Sequence, residues 1–148
     1  MGNASGCTIR QATVEDANAI ASLCGELGYE TSTVEAERRL KTLLNTKGHV
    51  VFVATSSDGS ISGWIHIFGT QFLTVDAFAE IGGLVVTDTH REQGIGKALL
   101  SQAETWAEMN EFSRIRVRSR FSRHAAHMFY AQAGYEFIKD QKVFAKLI

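Results

Sequence analysis

The chain has 148 residues, 45% hydrophobic and 21% charged, with a formal net charge of −1. That length favours one domain, residues 1–148, around a single core, and the small charge exerts no global pull toward nucleic acid or an anionic membrane surface. No run approaches the roughly 18 apolar residues of a membrane span, and Cys7 and Cys24 lack metal-ligand spacing, which predicts two free thiols in a reducing cytoplasm and no metal site.

The first seven residues read as a loose end without the apolar core of a secretion signal. Thr8–Ala12 (TIRQA) is a short strand candidate. Thr13 with Asp16 forms a cap pair, after which Ile20, Leu23, Cys24 and Leu27 share a helical face that Gly28 ends. Ser32 and Glu35 open a second helix through about Asn45, with Val34, Leu40, Leu43 and Leu44 apolar. The stretch VVFVATSSDGSISGWIHIFG is a hairpin around the Asp58-Gly59 turn signal. Val75–Val86 (VDAFAEIGGLVV) is a further long strand, and its internal Gly82-Gly83 predicts a bulge or a close backbone approach.

Gly94 to Asn110 is the strongest helix, with Ile95, Ala98, Leu99, Ala103, Trp106 and Met109 as its expected buried stripe. RIRVRS alternates and reads as a strand, with Arg114, Arg116 and Arg118 on one face and Ile115 and Val117 toward the core. Ser122 caps a short helix through Gln132, ended by Gly134, and YEFI and KVFAKLI close the chain as two strands. The order β-α-α-β-β-β-α-β-α-β-β lacks parallel crossovers among its second to fourth strands. It predicts an α/β (α+β) domain with a mixed, mostly antiparallel sheet of six to seven strands flanked by about four helices.

Gly94 and Gly96 stand at the mouth of that strong helix, although glycine there costs roughly 0.5–1 kcal/mol relative to alanine. The first N–H groups of a helix carry partial positive charge, and glycines let an anion approach that backbone. Arg91 and Lys97 add charge, so one reading is a pyrophosphate site and the other a tight turn that needs one positive φ. Two nucleotide motifs fail. A Walker loop needs glycine where Arg91 stands and Ser or Thr where Ala98 follows Lys97, and a Rossmann fingerprint needs a small residue at Leu99.

The pattern R-x-x-G-x-G does fit, as Arg91-Glu92-Gln93-Gly94-Ile95-Gly96 followed by KALL and preceded by LVV at Leu84–Val86. It resembles the acetyl-CoA-binding motif of GNAT-family (GCN5-related) N-acetyltransferases. IRQATVEDANAI is similar to that family's opening strand and first helix, and RHAAHMFYAQAGYEF to its C-terminal motif, with Ala126, Phe129, Tyr130, Gly134 and Tyr135 in register. Departures are Thr87-Asp88-Thr89 where proline is common, and Arg123 where asparagine is common, although a subset of the family carries arginine there.

The resemblance implies the GNAT-type acyl-CoA N-acyltransferase fold and transfer of an acetyl group from acetyl-CoA to a primary amine of a small molecule or peptide, by direct attack on the thioester. It implies that the pantetheine arm pairs with the backbone of Leu84, Val85 and Val86 in a splayed gap between two strands. A backbone N–H there would polarise the thioester carbonyl. Pyrophosphate would sit on Arg91, Glu92, Gln93, Gly94, Ile95, Gly96 and Lys97, with Arg123 a further phosphate contact. Glu80, fourteen residues before Gly94, has the spacing of the catalytic glutamate in the histone-acetyltransferase branch. On an ideal strand it shares a side with Gly82, Leu84 and Val86, unless a bulge shifts that. It reads as a general base or as a strand-edge glutamate facing solvent, with a water chain as the base in the second case.

Tyr130 matches the family's acid near the cofactor sulfur, or else is a core aromatic beside Phe129. His66, His90 and His127 read as packed residues, supporting ones at most. The arginines at 114, 116, 118, 120 and 123 read as a solvated face, or Arg118 or Arg120 reaches the acceptor cleft for an acidic substrate. No aromatic platform interleaves with them as RNA binding would need. Expected partners are therefore acetyl-CoA and an amine acceptor, with no membrane and no nucleic acid, and a homodimer is compatible. Acceptor choice is assigned to residues 26–33, a loop at 69–76 and the C-terminal strands. The rival readings are a non-catalytic acyl-CoA-binding module and a nucleotide-binding regulator.

Overall fold

A computed structural model describes residues 3–4, 6–87 and 94–148. They divide into two compact units, Met1–Arg118 and Ser119–Ile148. In the first, the strands are β1 (Asn3–Ala4), β2 (Cys7–Gln11), β3 (His49–Thr55), β4 (Ile61–Phe72), β5 (Val75–Val86) and β6 (Ile115–Val117), lying in the sheet in chain order. The first four pairings are antiparallel and β5–β6 is parallel. The mixed, mostly antiparallel sheet thus has five strands of three residues or more, plus the two-residue β1.

Local chemistry explains the boundaries. A 3-10 turn, Val14–Asp16, leads into α1 (Ala17–Glu26), and the Thr13 N–H donates to Asp16 Oδ2 at 2.8 Å. Arg10 donates to both Asp16 oxygens at 2.8 Å, tying β2 to this helix start. These hydrogen bonds, led by Arg10's, hold the buried Asp16 carboxyl below its ordinary range. At the far end of α1 the N–H of Tyr29 donates to Cys24 O and that of Gly28 to Gly25 O, closing the carbonyls of the last turn. Helix α2 (Thr33–Leu44) starts on the reciprocal pair foreseen at Ser32 and Glu35. The β3–β4 hairpin turns at Asp58-Gly59, where Asp58 Oδ1 accepts from the Ser60 N–H.

Two faces of the sheet are covered by different helices. Ile20 and Leu23 of α1 and Leu40 of α2 pack with Val51, Val53, Trp64 and Val85. Helix α3 (Ile95–Met109) lies on the other face, where Leu99 approaches Gly63, the strand neighbour of Trp64. Ile65, Ile67, Phe78 and Leu99 are fully buried, each contributing roughly 1.5–3 kcal/mol of transfer free energy.

The second unit holds α4 (His124–Gln132), which ends as expected at Gly134, with the Tyr135 N–H donating to Tyr130 O. Four expectations need correction. YEFI and KVFAKLI form no strand; residues 135–148 are irregular. Asn3–Ala4 is not loose but pairs with β2. Met109 is exposed while Leu100 and Ala107 are buried, since the helix presents a slightly rotated stripe to the sheet. The cap of α4 is Arg123 rather than Ser122.

Candidate active site

The long strand β5 organises the site. It pairs with β4 along its length, but with β6 only through Ala79–Ile81. From Gly82 to Val86 no strand among the described residues pairs with that second edge, because β6 itself ends at Val117. The β4–β5 register shifts between His66↔Gly83 and Ile67↔Ile81, which makes Gly82 the extra residue of a bulge. The bulge reassigns the faces: Glu80, opposite Phe68, shares its side with Gly83 and Val85, opposite His66 and Trp64. Ideal alternation would have grouped Glu80 with Gly82, Leu84 and Val86.

The glycine at the bulge has a physical reason. A Cβ on Gly82 would lie 2.5 Å from His66 Nδ1, so the imidazole occupies the space a side chain would need. His66 shares a 3.0 Å hydrogen bond with His49 and makes a tilted ring contact with Phe68, the centroids 5.2 Å apart. Burial, together with the charge of His49, pushes the His66 pKa down to about 4, so its ring is neutral at pH 7. Beside this group the buried Trp64 Nε1 has no hydrogen-bond partner among the described residues.

The Glu80 side chain is only 14% exposed, and Arg118 Nε stands 3.6 Å from its Oε1. At that separation the contact is an ion pair rather than a close hydrogen bond. Arg116, in register with Glu80, lays its guanidinium 4.5 Å above the Phe78 ring. Two of the alternating arginines thus engage β5. The Glu80 carboxylate is thus largely withdrawn from water, one residue before the β5–β6 pairing ends.

Helix α3 begins after residues 88–93, with its cap at Gly94. Its N-cap, Gly94, has φ of +80°, a conformation that only glycine adopts without strain, and the Ala98 N–H donates to Gly94 O at 3.0 Å. The N–H groups of Ile95, Gly96 and Lys97 form the first turn, and Lys97 is exposed. Arg91, Glu92, Gln93 and His90 lie outside the described residues. The positive φ at Gly94 is what the tight-turn reading of the glycine pair requires.

In the second unit Tyr130 is half-buried, edge-on to Phe129 at 5.2 Å and to Tyr135 at 5.6 Å. Burial pushes its phenol up to about 12, against a smaller opposing effect of Arg123. Arg123 is exposed at the start of α4, and His127 Nε2 is hydrogen-bonded to Arg120 O at 2.9 Å. Residues 69–76 are not a loop: β4 and β5 continue through them to a two-residue turn at Leu73-Thr74. Sequence reasoning did not group His49, His66 and Phe68, whose rings meet only through the β3–β4 register, with Phe68 opposite Glu80.

Comparison with known proteins follows the same lines. The model of the "Acetyltransferase (GNAT) family" matches residues 8–135. An uncharacterised N-acetyltransferase of Bacillus subtilis (strain 168), YhfO, is 29% identical over 133 residues, covering 86% of this chain and 89% of that protein. Among solved structures, an aminoglycoside 6'-N-acetyltransferase from Acinetobacter baumannii superposes with a TM-score of 0.85 at 16% identity, covering 97% of this chain and 99% of the other. A transcriptional regulator from Bacillus halodurans C-125 gives 0.85 at 24% identity, covering 95% and 99%. At these identities the two structural likenesses speak to fold.

Proposed function

From the premise that the chain belongs to the acetyltransferase (GNAT) family, and is an acetyl-CoA-dependent acetyltransferase acting on an amine, we propose how its residues divide the work. The acceptor is a primary amine of a small molecule or peptide, and the enzyme works in the cytoplasm. Both compact units belong to one acetyltransferase domain, a reading supported by a family match that runs through residues of each.

Bound acetyl-CoA supplies the acetyl group as a thioester. The residues present fit it: from Gly82 onward β5 has a pairing edge with no strand on it among the described residues, and α3 opens on glycines. The backbone of Leu84, Val85 and Val86 pairs with the pantetheine amides, and an N–H there polarises the carbonyl. Gly94, Ile95, Gly96 and Lys97 hold the pyrophosphate, with Arg91, Glu92 and Gln93 before them and Arg123 as a further contact. Glu80 takes the proton that the amine must lose to attack, a C–N bond forms as the C–S bond breaks, and Tyr130 protonates the departing thiolate.

The observation that carries this reading is Glu80, largely buried on the bulged strand just before the stretch of β5 that has no strand paired to its second edge among the described residues. The test is free-thiol release from acetyl-CoA across a panel of amines. With an accepted amine, Glu80→Gln is expected to lower kcat/KM, and the loss to shrink as pH rises because more amine arrives neutral. A Gln variant that matches the parent from about pH 6 to 9 would return proton removal to solvent. Thiol release that never responds to any amine would favour the acyl-CoA-binding module instead.

A further inference from the structure

The arginines of β6 have no task in the reaction as described so far. Within the first unit, Arg116 stands in register with Glu80, and alternation puts Arg114 and Arg118 on that same face. Arg116 is committed to the Phe78 ring, 4.5 Å beneath its guanidinium. Arg118 is held more loosely. Its one polar contact among the described residues runs from Nε to Glu80 Oε1 at 3.6 Å, too long for a close hydrogen bond. The two Nη nitrogens of its fork therefore have no carboxylate to grip.

Charge decides what such a pair can receive. Along the pairing of β5 with β6, three arginines face the single carboxylate of Glu80. A polycationic acceptor gains little from a carboxylate already compensated by Arg118, and the other guanidinium groups repel it. Proton transfer sharpens the requirement. Once Glu80 has taken the proton of the amine it is neutral, and Arg118 loses its counter-charge in a place largely withdrawn from water. An acceptor that carries its own anion beside the amine replaces that counter-charge.

We propose that the acceptor is an amino carboxylic acid, its amine at Glu80 and its carboxylate gripped by the Arg118 fork. In an α-amino acid one carbon separates the two groups, which suits partners only 3.6 Å apart. The ammonium passes a proton to Glu80, the neutral nitrogen attacks the thioester, and the carboxylate stays charged on Arg118 throughout. Arg118 is then the residue that sets specificity. This reading rests on Glu80 as the group that takes the proton of the amine.

The test measures free-thiol release from acetyl-CoA by the full chain on matched sets: α-amino acids, their primary amides and the decarboxylated amines. The acids are expected to exceed their amides in kcat/KM by about 10–100-fold, the worth of a hydrogen bond between charged groups. The amine of an amide is the less basic, with more of it neutral at about pH 8, so proton supply works against this preference. Arg118→Gln should bring the ratio near one, while Arg118→Lys, which keeps the charge without the fork, should retain part of it. Amides or decarboxylated amines accepted as well as the acids would overturn the proposal and leave the role of Glu80 standing. So would a preference for acids that survives in Arg118→Gln. Thiol release that responds to no amine overturns both readings. The matched sets use the unaltered protein and decide the substrate class even if the Arg118 variants fail to fold.

Discussion

Replacing Gly82 by alanine is expected to destabilise the chain by about 1–3 kcal/mol, the usual cost of overpacking. The new Cβ would lie 2.5 Å from His66 Nδ1, 3.1 Å from Cε1 and 3.3 Å from Cγ, so the ring would have to retreat by nearly an ångström to reach ordinary contact at 3.4 Å. Little freedom exists for that retreat. The ring is held by a 3.0 Å hydrogen bond to His49, by stacking against His49 and by a tilted contact with Phe68. Moving it breaks that hydrogen bond in a partly buried place, at about 1–3 kcal/mol for a group left unpaired. Gly82 is not at positive φ, so backbone strain adds nothing, and the lower entropy of the unfolded alanine chain offsets only about 0.4–1 kcal/mol. Urea denaturation of the two single variants and the double variant with His66→Ala measures the coupling. With the imidazole gone, Gly82→Ala should be neutral or slightly stabilising. An alanine variant as stable as the parent, or one equally costly with and without His66, would refute the steric account of this bulge.

Three further outcomes are expected. Asp16 has a lowered folded-state pKa, led by its hydrogen bonds from Arg10, so its stabilisation is full above the unfolded value of about 3.9 and is lost as pH falls through the lower folded one. Asp16→Asn should flatten that acid limb by about 1–2 kcal/mol, discounted for the 39% exposure of Arg10, as read from urea midpoints at stepped pH. Tyr130, pushed up to about 12 by burial, stays protonated where an ordinary phenol ionises, so kcat should show no alkaline fall from this group near pH 10, and Tyr130→Phe should lower kcat by about 10²–10⁴-fold. Acetyl-CoA should raise the melting temperature with the logarithm of its concentration, and Gly94→Glu should abolish the rise by placing bulk and negative charge at the helix start. Gly94→Ala, with a Cβ forced to φ near +80°, should lose about 1–2 kcal/mol of stability in thermal denaturation without ligand.

Local signals located several turns and helix ends whose determining interaction spans a few residues. Ser32 with Glu35, Asp58-Gly59, and the glycines after α1 and α4 set their turns and helix ends through hydrogen bonds to near neighbours, so their sequence patterns carried the answer. The family pattern around Gly94 and Gly96 was legible for the same reason. Tertiary structure decided the rest. Which strand faces share a side depends on where the single extra residue of β5 is absorbed, and His66, distant in sequence, occupies the space that makes Gly82 that residue. Glu80 meets Arg118 only because β5 and β6 run parallel in one register. Whether VFAKLI becomes a strand depends on an edge to pair with. Strand formation is a contract between distant segments, and no property of the segment alone specifies whether its partner is present.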